Sequence, residues 1–164
     1  MTKTEQNLLE AFAGESQANR KYLAFAKQAE KEGYPQAAKL FRAAAEAETV
    51  HALAHLRALG HVKSTAENLR EAISGETHEF RNMYPAMIEA AKAEKNKAAQ
   101  RSFSYANEVE KVHASLYQKV LDNLEALEDA DYYVCSVCGY TCEEKPPDRC
   151  PVCGSGSKAF LKVD

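Results

Sequence analysis

Two segments of this chain place a carboxylate and an imidazole three residues apart within a helical apolar stripe: Glu48-x-x-His51 and Glu110-x-x-His113. Residues at that spacing share one face of a helix, so each pair can offer both groups to one point in space. Each pair also has an acidic counterpart upstream, Glu15 standing 33 residues before Glu48 and Glu76 standing 34 before Glu110. A carboxylate left unpaired in an apolar stripe is costly, so four acids at matched places call for a common partner. The chain must therefore bring helices side by side with their acidic mid-points level.

The surrounding composition agrees. From Thr4 to about Leu127 the sequence is rich in Ala, Glu, Lys, Leu and Gln, and Pro35 and Pro85 are its only prolines. Breaks at Gly33-Tyr34-Pro35, at Gly60 and at Lys95-Asn96-Lys97 predict four helices near residues 4–31, 35–59, 65–95 and 98–127. Their inward stripes run through Leu8, Phe12, Glu15, Asn19 and Tyr22 on the first helix and Phe41, Ala44, Glu48, His51 and His55 on the second. The third carries Leu69, Ile73, Glu76, Phe80, Met83 and Met87, and the fourth Phe103, Ala106, Glu110, His113 and Tyr117.

One Glu from each of two helices plus Glu-x-x-His from each of the other two is the ligand set of di-iron or di-manganese carboxylate bundles. Four carboxylates and two imidazoles suit iron or manganese better than zinc. Glu79 breaks the symmetry, because it shares the face of Glu76 while the matching place on the first helix is Ala18. A seventh ligand on one side would let one metal exchange Glu79 for His51 as its oxidation state changes. Tyr22 and Tyr84 are spaced to donate phenolic hydrogen bonds to these carboxylates, although the same positions suit ordinary core tyrosines. His55, one turn beyond His51, falls near the bundle interior, His61 and His78 have no matching geometry, and all three read as structural or exposed.

After residues 128–131, an acidic linker, the composition changes to aromatics, Cys, Gly and Pro. The division expected is a helical bundle over 1–127 and a small module over 132–164, too short to build a core without a staple. Cys135, Cys138, Cys150 and Cys153 form two Cys-x-x-Cys pairs that can close tetrahedrally on one ion, and by composition alone a structural zinc ribbon is the favoured occupant. Cys142 lies outside the pairing and reads as a free thiol. The net charge of −3 offers no footprint for nucleic acid, and there is no apolar run of the roughly 20 residues a membrane span needs. Without a signal-peptide pattern, and with paired cysteines that read as a metal site, a cytoplasmic address is expected.

Cys135-x-x-Cys138-Gly139-Tyr140 followed by Cys150-Pro151-x-Cys153-Gly154, with Phe160 closing the module, resembles rubredoxin. Together with Glu15, Glu48-x-x-His51, Glu76-x-x-Glu79, Met83-Tyr84-Pro85 and Glu110-x-x-His113 upstream, the whole chain resembles the rubrerythrin family. The resemblance implies an all-α ferritin-like four-helix bundle joined to a rubredoxin-like β-ribbon domain. It also implies two irons in the bundle and a third on the four thiolates. The implied activity is reduction of hydrogen peroxide to water in oxidative-stress defence, with electrons arriving through the thiolate-bound iron from a separate nicotinamide-linked reductase. A ferroxidase or iron-storage bundle is the rival reading, but storage does not need the four-cysteine module.

In a ferritin-like bundle the second and third helices run parallel, so their connection must travel the height of the bundle. Helices ending near Leu59 and beginning near Thr65 leave a gap of about 30 Å, whereas residues 60–64 reach at most roughly 18 Å. Either residues 66–73 cross the bundle and the third helix starts near Ser74, or residues 1–59 dock onto 65–127 of a partner chain. Ser64-Thr65 before Glu67 reads as a helix start and Leu69, Ile73 and Glu76 share a face, so the expectation is the homodimer with exchanged helix pairs.

Overall fold

A computed structural model describes residues 1–163, which divide into two compact units, one over residues 1–63 and one from Ser64 onward. The first unit is a helical hairpin of α1 (Lys3–Lys31) and α2 (Pro35–Ala58). A reciprocal capping box between Thr2 and Glu5 starts α1, and Pro35 at the first turn of α2 supplies a φ already suited to a helix. Gly33 takes φ 80° in the turn between them, a conformation that costs glycine nothing.

The hairpin is held by an alanine seam. Ala26 and Ala29 of α1 are buried together with Ala38 of α2, and Ala45 and Ala52 continue the α2 row at steps of seven. This seam lies one position beyond the expected Ala44, and its small side chains let the two backbones approach. Replacing the fully buried Ala45 by Leu should force the helices apart and destabilise the chain by about 1–3 kcal/mol, read from thermal unfolding.

The second unit contains α3 (Thr65–His78), a π turn at Glu79–Met83, α4 (Tyr84–Ala93), α5 (Lys97–Asp122) and a small sheet. Ser64 and Glu67 form the capping box that starts α3. Segments α3, π turn and α4 are the expected third helix, but with a change of phase inside it. The Tyr84 N–H donates to the Glu79 carbonyl, five residues back, and Pro85, which has no N–H, follows at once. One extra residue in the turn rotates everything after it by about 100°. Met87 consequently stands 39% exposed rather than facing inward, and Tyr84, Ile88 and the buried Ala91 take over the inner face.

Helix α5 ends at Asp122, five residues before the expected end. Asn123 leaves helical geometry at φ −121°, ψ 21°, and its side-chain amide donates to the Lys119 carbonyl at 2.8 Å, satisfying an orphan acceptor. The sheet has order β2-β1-β3, with β1 (Tyr132–Cys135) central and antiparallel to both β2 (Thr141–Glu143) and β3 (Phe160–Val163). Its core is Cys135, Cys150 and Phe160. No helix among the described residues is long and apolar enough to cross a membrane.

Candidate metal centres

In the first unit, α1 and α2 bring one ligand atom each from Glu15, Glu48 and His51 within 4.8 Å of one another. His51 Nδ1 lies 2.9 Å from Glu48 Oε2 and 3.9 Å from Glu15 Oε1. The two helices are locked in register at this level by Asn19, one turn after Glu15. Its amide donates to the Ala45 carbonyl and to Thr49 Oγ1, both at 2.8 Å, and the Thr49 hydroxyl donates back to the same carbonyl at 3.1 Å. Tyr22 packs its ring against Phe25 and Phe41, with centroid separations of 6.4 and 6.2 Å. Among the described residues it makes no hydrogen bond to Glu15 or Glu48.

The second unit repeats the arrangement. Glu76 from α3 joins Glu110 and His113 from α5, again with ligand atoms within 4.8 Å, and His113 Nδ1 lies 2.8 Å from Glu110 Oε2 and 3.8 Å from Glu76 Oε1. In both half-sites, then, it is Nδ1 that faces the carboxylates. Glu79 opens the π turn beside this trio without joining its closest set. Burial, and then the nearby Glu110 carboxylate, push the Glu79 carboxyl above its ordinary range. Tyr84, stacked at a tilt on Phe103 with centroids 6.3 Å apart, stands close enough to the acids that burial and then Glu79, Glu110 and Glu76 raise its phenol.

Glu76 carries the largest of these perturbations. Burial first, and then Glu110, hold its carboxyl up at about 7 against the opposing attraction of His113. Acids crowded this closely without a cation are a site that a cation would relieve. The sign for stability follows from linkage. Folded Glu76 keeps its proton where an ordinary carboxyl at 4.5 has lost it, so the stabilising contribution is complete below 4.5 and disappears as pH rises through about 7. Metal-free protein should therefore lose thermal stability between those values, and Glu76→Gln should flatten the slope. A metal-free chain that gains stability over the same window would contradict this.

The four cysteines converge from two loops of one design. The Gly139 N–H donates to the Cys135 carbonyl at 2.8 Å and the Gly154 N–H to the Cys150 carbonyl at 2.9 Å, with both glycines at positive φ, 86° and 75°. This explains the Cys-x-x-Cys-Gly spelling, since a side-chain-bearing residue is strained in that conformation. Cys135 and Cys153 sulfurs lie 3.6 Å apart, and those of Cys138 and Cys150 3.5 Å. Tetrahedral thiolates at about 2.3 Å from a central ion would stand roughly 3.8 Å apart, so the cage fits a single iron or zinc. Burial pushes the Cys138 thiol up. Burial opposes ionisation of Cys153 as well, yet hydrogen bonds from the Ser155 hydroxyl and backbone pull it down to about 6. Cys142 stays outside the cage, its thiol directed to the Lys145 carbonyl.

All the sequence-expected ligands except Glu79 thus fall into three closely grouped sets, two half-sites and one thiolate cage. Sequence reading passed over Thr49, Ser155 and Thr141. Thr49 lies on the helical face next to Glu48 and was open to discovery by periodicity. Ser155 follows Cys153 by two residues. Thr141, whose hydroxyl reaches His113, is brought there by tertiary packing and carries no local signal.

Comparison with known proteins is consistent along the whole chain. A family model described as rubrerythrin matches residues 6–121, and one described as the rubrerythrin rubredoxin-like domain matches residues 133–160. Rubrerythrin-2 of Clostridium acetobutylicum is 37% identical, the alignment covering 96% of this chain and 95% of that one. Rubrerythrin of Porphyromonas gingivalis is 39% identical over 97% of this chain and 89% of its own length. A solved structure of nigerythrin in its fully reduced, all-ferrous state aligns with a TM-score of 0.61 at 33% identity, covering 99% of this chain and 88% of that one.

Proposed function

This chain belongs to the rubrerythrin family, and on that footing we propose that it is a non-haem di-iron peroxidase that reduces hydrogen peroxide to water in defence against oxidative stress. The observation that carries the proposal is the pairing of two Glu, Glu-x-x-His half-sites with a four-thiolate cage in one chain. Carboxylate and imidazole donors suit a pair of irons, and a ferrous pair would supply the two electrons that peroxide cleavage consumes. Glu15, Glu48 and His51 would hold one side and Glu76, Glu110 and His113 the other. Cys135, Cys138, Cys150 and Cys153 would hold the relay iron, charged by a separate nicotinamide-linked reductase in the cytoplasm.

The protein's own part is to hold protons and change ligands. Glu79, on the π turn, is the carboxylate free to move toward or away from the metal pair as its charge changes. The phenol of Tyr84, raised by burial and then by the neighbouring acids, keeps its proton at neutral pH and serves as a donor toward peroxide oxygen; Tyr22 is assigned the same part from the other half. Anaerobically reduced protein given one equivalent of peroxide should reoxidise at the di-iron pair and then at the thiolate iron. A thiolate site that stays colourless throughout would remove the relay, and slow oxidation by oxygen with mineral formation would favour iron storage instead.

We assign the complete site to a homodimer that exchanges helix pairs. Helix α2 runs ten residues past Glu48 and α3 eleven residues before Glu76, about 32 Å of helix between level ligands. The connection from Ala58 to Thr65 spans at most about 25 Å when extended. Phe25, Leu40, Val50 and Leu53 also remain exposed on the α1–α2 hairpin, an apolar surface suited to a second copy. Co-producing a Glu48→Ala/His51→Ala chain with a Glu110→Ala/His113→Ala chain tests this. Exchange restores one complete site per heterodimer; absence of any recovered di-metal binding would exclude it.

A further inference from the structure

Within the second unit, His113 is held from both ends. Its Nδ1 faces Glu110 and Glu76, and its Nε2 lies 3.0 Å from the hydroxyl of Thr141, the first residue of β2. That hydroxyl has a second partner, since it donates to the Gly139 carbonyl at 3.1 Å. With its one proton engaged there, Thr141 Oγ1 is left as an acceptor toward Nε2. An imidazole that donates from Nε2 presents a bare Nδ1 lone pair, and the hydrogen bond at one ring nitrogen decides which nitrogen meets a metal.

Gly139 belongs to the Cys135–Cys138 loop and donates in turn to the Cys135 carbonyl. It packs against the buried Val109, one turn before His113, so close that an added Cβ would lie 3.7 Å from Val109 Cγ1. An exposed ion pair of Lys119 with Glu143 at 2.6 Å also ties β2 to α5 further along the helix. The other half-site lacks this device. Among the described residues, His51 Nε2 has no hydrogen-bond partner, and its side chain is 54% exposed.

We infer that Thr141 is a positioning residue that fixes His113 as an Nδ1 metal ligand and joins it by consecutive hydrogen bonds to the four-cysteine loop. The assignment rests on the reading of Glu76, Glu110 and His113 as metal ligands, and it makes the two half-sites unequal. The His113 side has a preset ligand coupled to the thiolate cage, while the His51 ring has no second hydrogen bond within its own chain to fix it.

The test uses the full chain loaded with zinc and carries Thr141→Val, which removes the hydroxyl at nearly constant shape, beside Thr141→Ser, which keeps it. Nitrogen-edited NMR should show a solvent-protected Nε2–H on His113 in the wild type and in Thr141→Ser, and its loss in Thr141→Val. With zinc in the thiolates, binding of manganese at the carboxylate sites should weaken about 10-fold in Thr141→Val and less than about twofold in Thr141→Ser. Should valine disturb β2, Thr141→Ala removes the same hydroxyl and the contrast with serine still decides. A hydroxyl-free variant that keeps the protected Nε2–H and wild-type manganese affinity overturns the assignment. A wild type whose His113 ring does not respond to metal overturns the metal-site reading beneath it.

Discussion

Replacing Cys150 by Ser should separate the two chemistries of this protein. The residue is 3% exposed and, among the described residues of the C-terminal module, is one of three that are buried, so the module depends on metal binding for its fold. Thiolate–metal bonds in modules of this size contribute about 10 kcal/mol or more to folding, far beyond what so small a core provides. The expected result is loss of the thiolate-iron spectrum and rapid amide exchange across β1, β2 and β3, with α1 and α2 still protected. Turnover driven by a reductase should fall to background, while chemically pre-reduced protein should still consume a single equivalent of peroxide. Full reductase-driven turnover in this variant would mean that electrons enter by another route.

Truncating Glu79 to Ala should give the opposite pattern, with metals retained and catalysis impaired. Glu79 stands outside the closest trio of its half-site, so its removal leaves Glu76, Glu110 and His113 in place. Its carboxyl is raised by burial and by Glu110, the mark of an acid that gains from a nearby cation. The predicted outcome is metal content near that of wild type and a turnover number reduced about 10- to 100-fold, measured by elemental analysis and stopped-flow on the same samples. Glu110→Ala, by comparison, should lose the metal itself. Unchanged turnover in Glu79→Ala would reduce Glu79 to a bystander acid.

The parts of this architecture that depend on local chemistry could be read from the chain. Glu15, Glu48, His51, Glu76, Glu110 and His113 announce themselves because acids and imidazoles recur at helical spacing among apolar residues, and the structure groups them in threes. The cysteine cage follows from two identical turns, each requiring a glycine. The misses lie where periodicity is blind, to a change of phase within a helix, to a cap made by one side chain and to contacts made only by tertiary packing. Met83 and Met87 continue the stripe of Leu69 and Ile73 on paper, but the π turn passes the inner face to Tyr84 and Ile88. The early end of α5 depends on one asparagine folding back on Lys119, and Thr141 meets His113 from 28 positions further along the chain.

The π turn has a consequence for how the third helix relates to an uninterrupted one. Residues 84–93 already lie where a plain α-helix one residue shorter would put them, so one residue of Glu79–Met83 is surplus to the architecture. A chain lacking Asn82 should still close its packing on α5, because the faces on either side of the turn would meet in register. What it would lose is the π turn that opens at Glu79, and with it the local backbone that carries this carboxylate beside Glu110. In this helix the scaffold would survive a deletion that the chemistry would not.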